Sequence, residues 1–302
     1  MHPDIPAPCT VMAGGLRWRV MRTRAPGAAG LPRLLLLHGT GSSWQSWAGC
    51  APRLAADFEL LVPDLPGHGG TDAFADRSAS LPRMAQAVAA LLRGMDWAPQ
   101  LVAGHSAGAA VMAQMRLDGA LPDARGLLAV NGALEPLPGL MGLVAPAVAR
   151  LASRSELLPG WVTRHASQPR ALTNLIASTG SRLTESAVSH YRQLLQQPDH
   201  VRGVLDMLAN WQLDTLQARL PELQLPLWLV AGLADRTLAP VRSLELARRL
   251  KGAKFVPLPG LGHLAHEEAP ERVAPLLGAL WAQVRPAAAG DQPPGVPQAP
   301  SV

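Results

Sequence analysis

A serine between two glycines is the first group in this sequence that could do covalent chemistry. Gly104-His105-Ser106-Ala107-Gly108 matches the G-x-S-x-G pattern, in which a sharp strand-to-helix turn exposes the serine hydroxyl. Both glycines are needed because a side chain at either position would clash in so tight a turn. A plain glycine-rich turn is the alternative. The apolar strand predicted before the motif and the helical run after it favour a nucleophile.

A serine hydroxyl becomes nucleophilic only when a base takes its proton and a third group orients that base. His263 follows the last predicted strand on the glycine-rich loop 259–262, and its place after Ser106 fits the chain order serine, acid, histidine. His266 is the rival base, but it lies one turn further along and is expected to support the loop. We therefore predict His263 as the base.

Two loops after predicted strands could supply the acid. One of them offers Asn131, whose amide cannot hold the charge of an imidazolium ion. The other offers Asp235, for which a turn or helix-capping role is the alternative. With Ser106 and His263 assigned, we predict Asp235 as the acid.

Acyl transfer also needs hydrogen-bond donors for the negative oxygen of its transition state. The segment His38-Gly39-Thr40-Gly41 follows the first apolar strand, which would bring backbone N–H groups beside Ser106. We predict Thr40 and Ala107, the residue after the nucleophile, as the oxyanion hole. A plain turn is the alternative for the 38–41 segment. No cysteine pair has the spacing of a metal site, and the sequence predicts neither a metal nor a cofactor.

Short apolar strands must position these residues. We predict six of them, at residues 34–37, 59–62, 100–103, 126–130, 227–231 and 255–258. They lack polar alternation and are separated by amphipathic helices, a pattern typical of a mostly parallel sheet covered on both faces. The predicted fold class is α/β.

This alternation fails between residues 133 and 213, where the composition is helical and rich in arginine. We predict that 133–213 is an inserted helical cap on a core made of 1–132 and 214–285. The tail 286–302 is rich in Pro, Ala, Gly and Gln and is expected to be disordered. Arg182 is a candidate to bind substrate carboxylates, with a solvated helix face as the alternative for the cap arginines.

The composition excludes several classes of protein. The 302 residues are 48% hydrophobic and 16% charged, which suits one large folded domain and excludes wholesale disorder. The net charge is only +5 and no long basic run occurs, which argues against nucleic-acid binding. With two cysteines, no signal peptide and no apolar span of about 20 residues, we expect a cytoplasmic protein without a transmembrane segment. Contact with a membrane surface stays open.

Taken together, these features resemble the α/β-hydrolase superfamily over residues 15–285. The turn Pro63-Asp64-Leu65-Pro66-Gly67-His68-Gly69 is similar to the structural turn of that superfamily. Four short signatures further resemble the magnesium-chelatase accessory hydrolases of bacteriochlorophyll synthesis: 104–110, 130–133, 179–183 and 262–268. The resemblance implies an α/β-hydrolase fold and a role beside magnesium insertion into protoporphyrin.

The sequence thus predicts a serine hydrolase of an ester or related acyl group, with a small apolar or tetrapyrrole-like substrate and magnesium chelatase as its partner. A non-catalytic accessory that binds a tetrapyrrole or the chelatase is one alternative. A generic esterase, acyltransferase or cofactor-free oxidase of the same fold is another, because the fold alone does not choose the chemistry. Ser106 stands where a dehalogenase or epoxide hydrolase would have aspartate. The chain lacks G-x-x-x-x-G-K-[ST], which excludes the ATP-driven chelatase motor.

Overall fold

The computed structural model describes residues 6–23, 30–136, 155, 158–166 and 168–286. Eight strands form one sheet: β1 (Cys9–Ala13), β2 (Leu16–Arg22), β3 (Arg33–Leu37), β4 (Glu59–Pro63), β5 (Leu101–His105), β6 (Gly126–Val130), β7 (Leu227–Gly232) and β8 (Ala253–Leu258). Their order across the sheet is β1-β2-β4-β3-β5-β6-β7-β8. Strands β3 to β8 run parallel, whereas β2 is antiparallel to both of its neighbours. The predicted mostly parallel sheet is confirmed.

Helices connect the strands. They are α1 (Ala51–Leu54), α2 (Leu81–Gly94), α3 (Ala107–Leu117), α4 (Leu158–Ala166), α5 (Pro169–Ser178), α6 (Glu185–Leu195), α7 (Pro198–Asn210), α8 (Asp214–Arg219), α9 (Pro240–Arg249), α10 (Ala265–Glu268) and α11 (Pro270–Val284). Two 3-10 turns lie at Trp44–Trp47 and Leu220–Glu222. None of these described helices has the length and apolarity that crossing a membrane requires.

The central strands are continuously apolar because both faces of the sheet are covered. In β3, Leu35 and Leu37 pack into the core beneath α2 and α3. Leu34 and Leu36, on the opposite face, pack into the core formed with α1 and α11. All four leucines are fully buried, so the run supplies side chains to two cores at once.

The register of the parallel strands brings their following loops to one edge of the sheet. Leu37 pairs with Gly104, so the loop after β3 begins beside the turn that carries the serine. His105 pairs with Val130, and Val130 pairs with Val230, so β5, β6 and β7 end side by side. Because the carboxyl ends of parallel strands share an edge, this is where a site is expected in an open α/β sheet.

Helices α4 to α8 lie in the connection between β6 and β7. A close backbone contact joins α7 to the core: a Cβ on Gly203 would lie 2.0 Å from the carbonyl oxygen of Gly67. Arg77 and Asp206 form an ion pair at 3.0 Å across the same contact. The apolar stretch at 137–149 lies outside the described residues, as does all of the predicted tail except residue 286. The division into core and cap stays a prediction.

Candidate active site

Ser106 stands on a strained turn between β5 and α3. Its φ of +49° is in the region that non-glycine residues rarely adopt, and such strain is typical of functional turns. A Cβ on Gly104 would lie 2.5 Å from the backbone of Gly108, and a Cβ on Gly108 would lie 2.5 Å from the carbonyl oxygens of Leu37 and His38. Both glycines of the motif are therefore sterically required.

Asp235 and His263 come together from the loops after β7 and β8. His263 Nδ1 lies 2.8 Å from Asp235 Oδ2, and both residues are 7% exposed. The other carboxylate oxygen, Oδ1, accepts hydrogen bonds from the backbone N–H groups of Thr237 at 2.7 Å and Leu238 at 3.0 Å. These bonds fix the orientation of the carboxylate. Because a carboxylate only accepts hydrogen bonds, the facing Nδ1 of His263 must carry the ring proton, and Nε2 is left as the basic nitrogen.

Ser106 and His263 lie in the wall of the same cavity. Among the described residues, no hydrogen bond joins the Ser106 hydroxyl to the imidazole of His263. Bonds of this kind are often long in ligand-free proteins and tighten when substrate binds, so the geometry is compatible with a serine–histidine pair.

The loop after β3 lies against the serine, as the register requires. A Cβ on Gly39 would lie 3.1 Å from the Ser106 Cβ and 2.8 Å from His105 Nδ1, so only glycine allows this approach. Thr40, the next residue, lines the cavity, and its hydroxyl lies 3.5 Å from Met207 Sδ. Ala107 is the first residue of α3, so its N–H has no carbonyl partner within the helix.

Two side chains that the sequence analysis did not select hold the backbone of the histidine loop. The Asn131 amide donates to the carbonyl oxygens of Gly262 at 3.0 Å and His263 at 2.7 Å, and its oxygen accepts from Gly232 N–H at 2.8 Å. His105 Nε2 lies 2.9 Å from the same His263 carbonyl oxygen. Because burial lowers the pKa of His105 well below its usual range, its ring is neutral and donates from Nε2. Asn131, which cannot serve as the acid, thus positions the backbone of the histidine loop.

The segment 179–182, between α5 and α6, contacts both triad loops. The carbonyl oxygen of Thr179 accepts from the backbone N–H groups of Arg236 at 3.1 Å and His263 at 3.3 Å. The buried hydroxyl of Ser181 accepts from the N–H of Leu264 at 2.8 Å. This segment therefore ties the acid loop to the base loop.

Arg182 contributes its backbone to the same arrangement. Its N–H donates to Glu268 Oε2 at 3.0 Å, while Glu268 Oε1 accepts from the N–H of Gly262 at 2.9 Å. The Arg182 side chain is exposed and is not among the described residues that line the cavity. Its predicted role as a substrate ligand stays a prediction.

His266, the rival base, is fully buried and lies behind the site. Its ring centroid is 4.4 Å from that of His105 and 4.5 Å from that of Trp47. Burial and the neighbouring His263 lower the pKa of His266 to about 3. The ring therefore packs as a neutral aromatic group, in line with the supporting role expected of it.

The cavity has a volume of about 310 Å³, and one of its walls is aliphatic. This wall comes mainly from α5, α6 and α7, and it consists of Leu172, Leu175, Ile176, Leu195, Val201, Val204, Leu205 and Leu264. Ser106, His263 and residues of the loop after β3 also line the cavity. An apolar cavity with a few convergent polar groups is typical of small-molecule sites.

The chain is similar in sequence and in fold to several known proteins. The family model described as "Alpha/beta hydrolase family" matches residues 34–276. The magnesium-chelatase 30 kDa subunit of Rhodobacter capsulatus is 36% identical over 264 residues, which cover 87% of this chain and 90% of that protein. A pimeloyl-[acyl-carrier protein] methyl ester esterase of Aromatoleum aromaticum is 28% identical, covering 82% of this chain and 96% of that protein. A solved thermophilic esterase from Thermogutta terrifontis has a TM-score of 0.72 at 22% identity, covering 93% of this chain and 100% of that one, a likeness of fold.

Proposed function

Because the chain belongs to the α/β-hydrolase family, we propose that it is a serine hydrolase of an ester or related acyl substrate. Ser106 is the nucleophile, His263 the base and Asp235 the acid. The observation that carries the proposal is the 2.8 Å contact between His263 and Asp235 at the cavity that also contains the strained Ser106. A binding protein has no need of this combination.

The reaction would proceed through an acyl-enzyme. His263 Nε2 takes the proton of the Ser106 hydroxyl as the oxygen forms a bond to the substrate carbonyl carbon, while Asp235 stabilises the imidazolium ion. The proton then passes to the departing alcohol as the carbon–oxygen bond of the ester breaks. Water, activated by the same imidazole, releases the acid and restores Ser106.

The oxyanion of each tetrahedral intermediate needs donors that are already in place. We assign this role to the backbone N–H groups of Thr40 and Ala107. The tight approach of Gly39 to Ser106 supports the assignment, as does the position of Ala107 at the start of α3, where backbone N–H groups lack partners within the helix.

Hydrolysis of p-nitrophenyl esters of increasing acyl length tests the proposal. We expect the wild type to hydrolyse at least one ester and Ser106→Ala to lose about 10⁴- to 10⁶-fold in kcat. Ser186→Ala, at an exposed serine on α6, is the matched control and should retain full activity. Equal hydrolysis by the wild type and Ser106→Ala would refute the assignment.

We also propose that this hydrolase acts as an accessory of magnesium chelatase, in the cytoplasm. The similarity to the Rhodobacter capsulatus subunit over most of both chains supports this setting. Adding the protein to a magnesium-insertion assay with purified bacterial chelatase tests it. Stimulation by the wild type but not by Ser106→Ala would favour a catalytic accessory, equal stimulation a non-catalytic one, and no stimulation would contradict the setting.

A further inference from the structure

A largely buried chain of three oxygen-bearing side chains, with Tyr191 half-buried, reaches the cavity near the loop after β3. The Tyr191 hydroxyl lies 2.7 Å from Glu267 Oε1 and 3.1 Å from the Ser42 hydroxyl oxygen. Tyr191 and Ser42 line the cavity, whereas the Glu267 side chain lies behind them and is only 7% exposed. The proposed reaction uses none of these groups, so their burial beside the site needs another explanation.

The surroundings of Glu267 favour its neutral form. Burial and the neighbouring Glu268 raise the pKa of Glu267 to about 8, against the opposing effect of the Tyr191 hydrogen bond. His266, a titratable group beside it, has its Nε2 at 4.0 Å and is neutral, because burial lowers its pKa. Burial and, to a smaller extent, Glu267 raise the pKa of the Tyr191 hydroxyl and of the buried Cys50 thiol. The Tyr191 hydroxyl can donate to Glu267 Oε1 or to the Ser42 oxygen, and its single proton serves one of them at a time. The Ser42 hydroxyl therefore keeps a proton and lone pairs for a neutral group in the cavity.

The surroundings favour a neutral ligand group over an anion. No arginine or lysine is among the described residues that line the cavity. No described arginine or lysine forms an ion pair with Glu267 either. A carboxylate placed here would lose its water without gaining a counter-charge, which is costly in an apolar cavity. A neutral oxygen would instead exchange hydrogen bonds with the two hydroxyls.

We propose that Ser42 and Tyr191 form the polar subsite of the cavity and hold a neutral oxygen-bearing group of the substrate. The aliphatic side chains of α5, α6 and α7 then hold its hydrocarbon part. Glu267 acts through Tyr191 and is a positioning residue. This inference rests on the proposed function, because it assigns the cavity to the acyl substrate, and it narrows that substrate to one without a free carboxylate at this subsite.

Binding of three matched probes at pH 7, measured by isothermal titration calorimetry, tests the subsite. The probes are pentanamide, pentanoate and 1-chloropentane, which share a chain length and differ in charge and hydrogen bonding. We expect the wild type to bind pentanamide more tightly than pentanoate. Tyr191→Phe and Ser42→Ala should each weaken pentanamide about three- to tenfold, the effect of one neutral hydrogen bond, and leave 1-chloropentane unchanged.

Comparable binding of the two polar probes by the wild type would overturn the proposal, as would undetectable pentanamide binding. Equal loss for pentanamide and 1-chloropentane in both variants would show a merely structural role and would also overturn it. Repeating the titrations in Ser106→Ala separates the two proposals, because binding does not require the nucleophile. If the wild type hydrolyses no ester but still binds pentanamide more tightly than pentanoate, only the hydrolase proposal is refuted. If the wild type hydrolyses an ester through Ser106 but does not distinguish the two probes, only the subsite proposal is refuted.

Discussion

At the scale of single residues, Asp235 shows how one carboxylate can orient a base. One oxygen is saturated by two backbone N–H groups and the other faces His263 Nδ1, so the side chain has a single orientation. The imidazole tautomer follows from this orientation, because a carboxylate only accepts hydrogen bonds. A substitution that replaces the oxygen facing His263 with a hydrogen-bond donor should move the imidazole proton from Nδ1 to Nε2.

Asp235→Asn makes that change with almost no change in shape. Its amide oxygen can still accept from Thr237 and Leu238, whereas its NH₂ faces His263 and places the imidazole proton on Nε2, where the ring cannot take the serine proton. We expect a loss of about 10⁴-fold in kcat with the fold retained, measured on the best ester substrate and by circular dichroism. Asp214→Asn, at an exposed position, is the control. A nearly silent Asp235→Asn beside an inactive but folded Asp206→Asn would refute the assignment.

At the scale of elements, the segment 179–182 links the helices between β6 and β7 to both triad loops. Gly180 has φ +82° and a Cβ there would lie 1.9 Å from the carbonyl oxygen of Ala234. Since Ala234 precedes Asp235, the close packing of this segment helps to set where the carboxylate lies.

Gly180→Ala should therefore impair the site through its position. The methyl group must displace the acid loop and adopt a disfavoured φ, so we expect at least a tenfold fall in kcat and a destabilisation of about 1–3 kcal/mol. Gly278→Ala, in α11 with open space around its Cα, is the control and should be neutral or stabilising by up to about 1 kcal/mol. Wild-type kcat in Gly180→Ala would show that the segment does not position the acid.

The sequence predicts the strands and turns whose formation depends on neighbouring residues. The parallel strands follow from apolar runs such as Leu34–Leu37, and each triad candidate lies in the turn or loop that follows a predicted strand. The β1–β2 hairpin also has a local pattern. Gly14 and Gly15 adopt positive φ at its turn. In β2, Trp18 and Val20 are buried, whereas Arg17 and Arg19 are exposed. Alternation around a glycine pair is a hairpin signal.

Other features have no local signal. Asn131 holds the histidine loop across 132 residues of sequence, and Glu268 supports Arg182 across 86. Such contacts depend on strand order and register, which a single sequence does not reveal. Within the 179–183 signature, the backbone of Thr179 contacts the triad loops and that of Arg182 contacts Glu268, roles that the residue types alone do not suggest.

At the scale of the whole molecule, buried histidines make the fold sensitive to acid. In the described part of the chain, burial lowers the pKa of six of them: His38, His68, His105, His190, His200 and His266. Below pH 6.5 these histidines bind protons in the unfolded chain but not in the folded protein. Each histidine therefore lowers the free energy of unfolding by up to about 1.4 kcal/mol per pH unit, until the pH reaches its pKa in the folded state. Raised carboxyl pKa values, about 6 for Asp64 and about 8 for Glu267, act in the opposite direction.

Six histidines against two carboxyl groups predict a net loss of stability as the pH falls from 6.5 towards 4. Urea unfolding at pH 7 and pH 5 measures it, and the midpoint should be lower at pH 5. The exposed His165 provides a control, since His165→Gln should leave this pH dependence unchanged. An equal or higher midpoint at pH 5 would mean that the buried rings accept protons without disturbing the fold.

The central claim is that Ser106 is a nucleophile activated by His263, and covalent labelling tests it most directly. Folded wild-type protein is treated with a fluorophosphonate probe, digested and mapped by mass spectrometry, in parallel with Ser106→Ala and His263→Ala. We predict one labelled serine, Ser106, with labelling abolished in the first variant and strongly slowed in the second. Labelling of a different serine, or none in the folded wild type, would contradict the account.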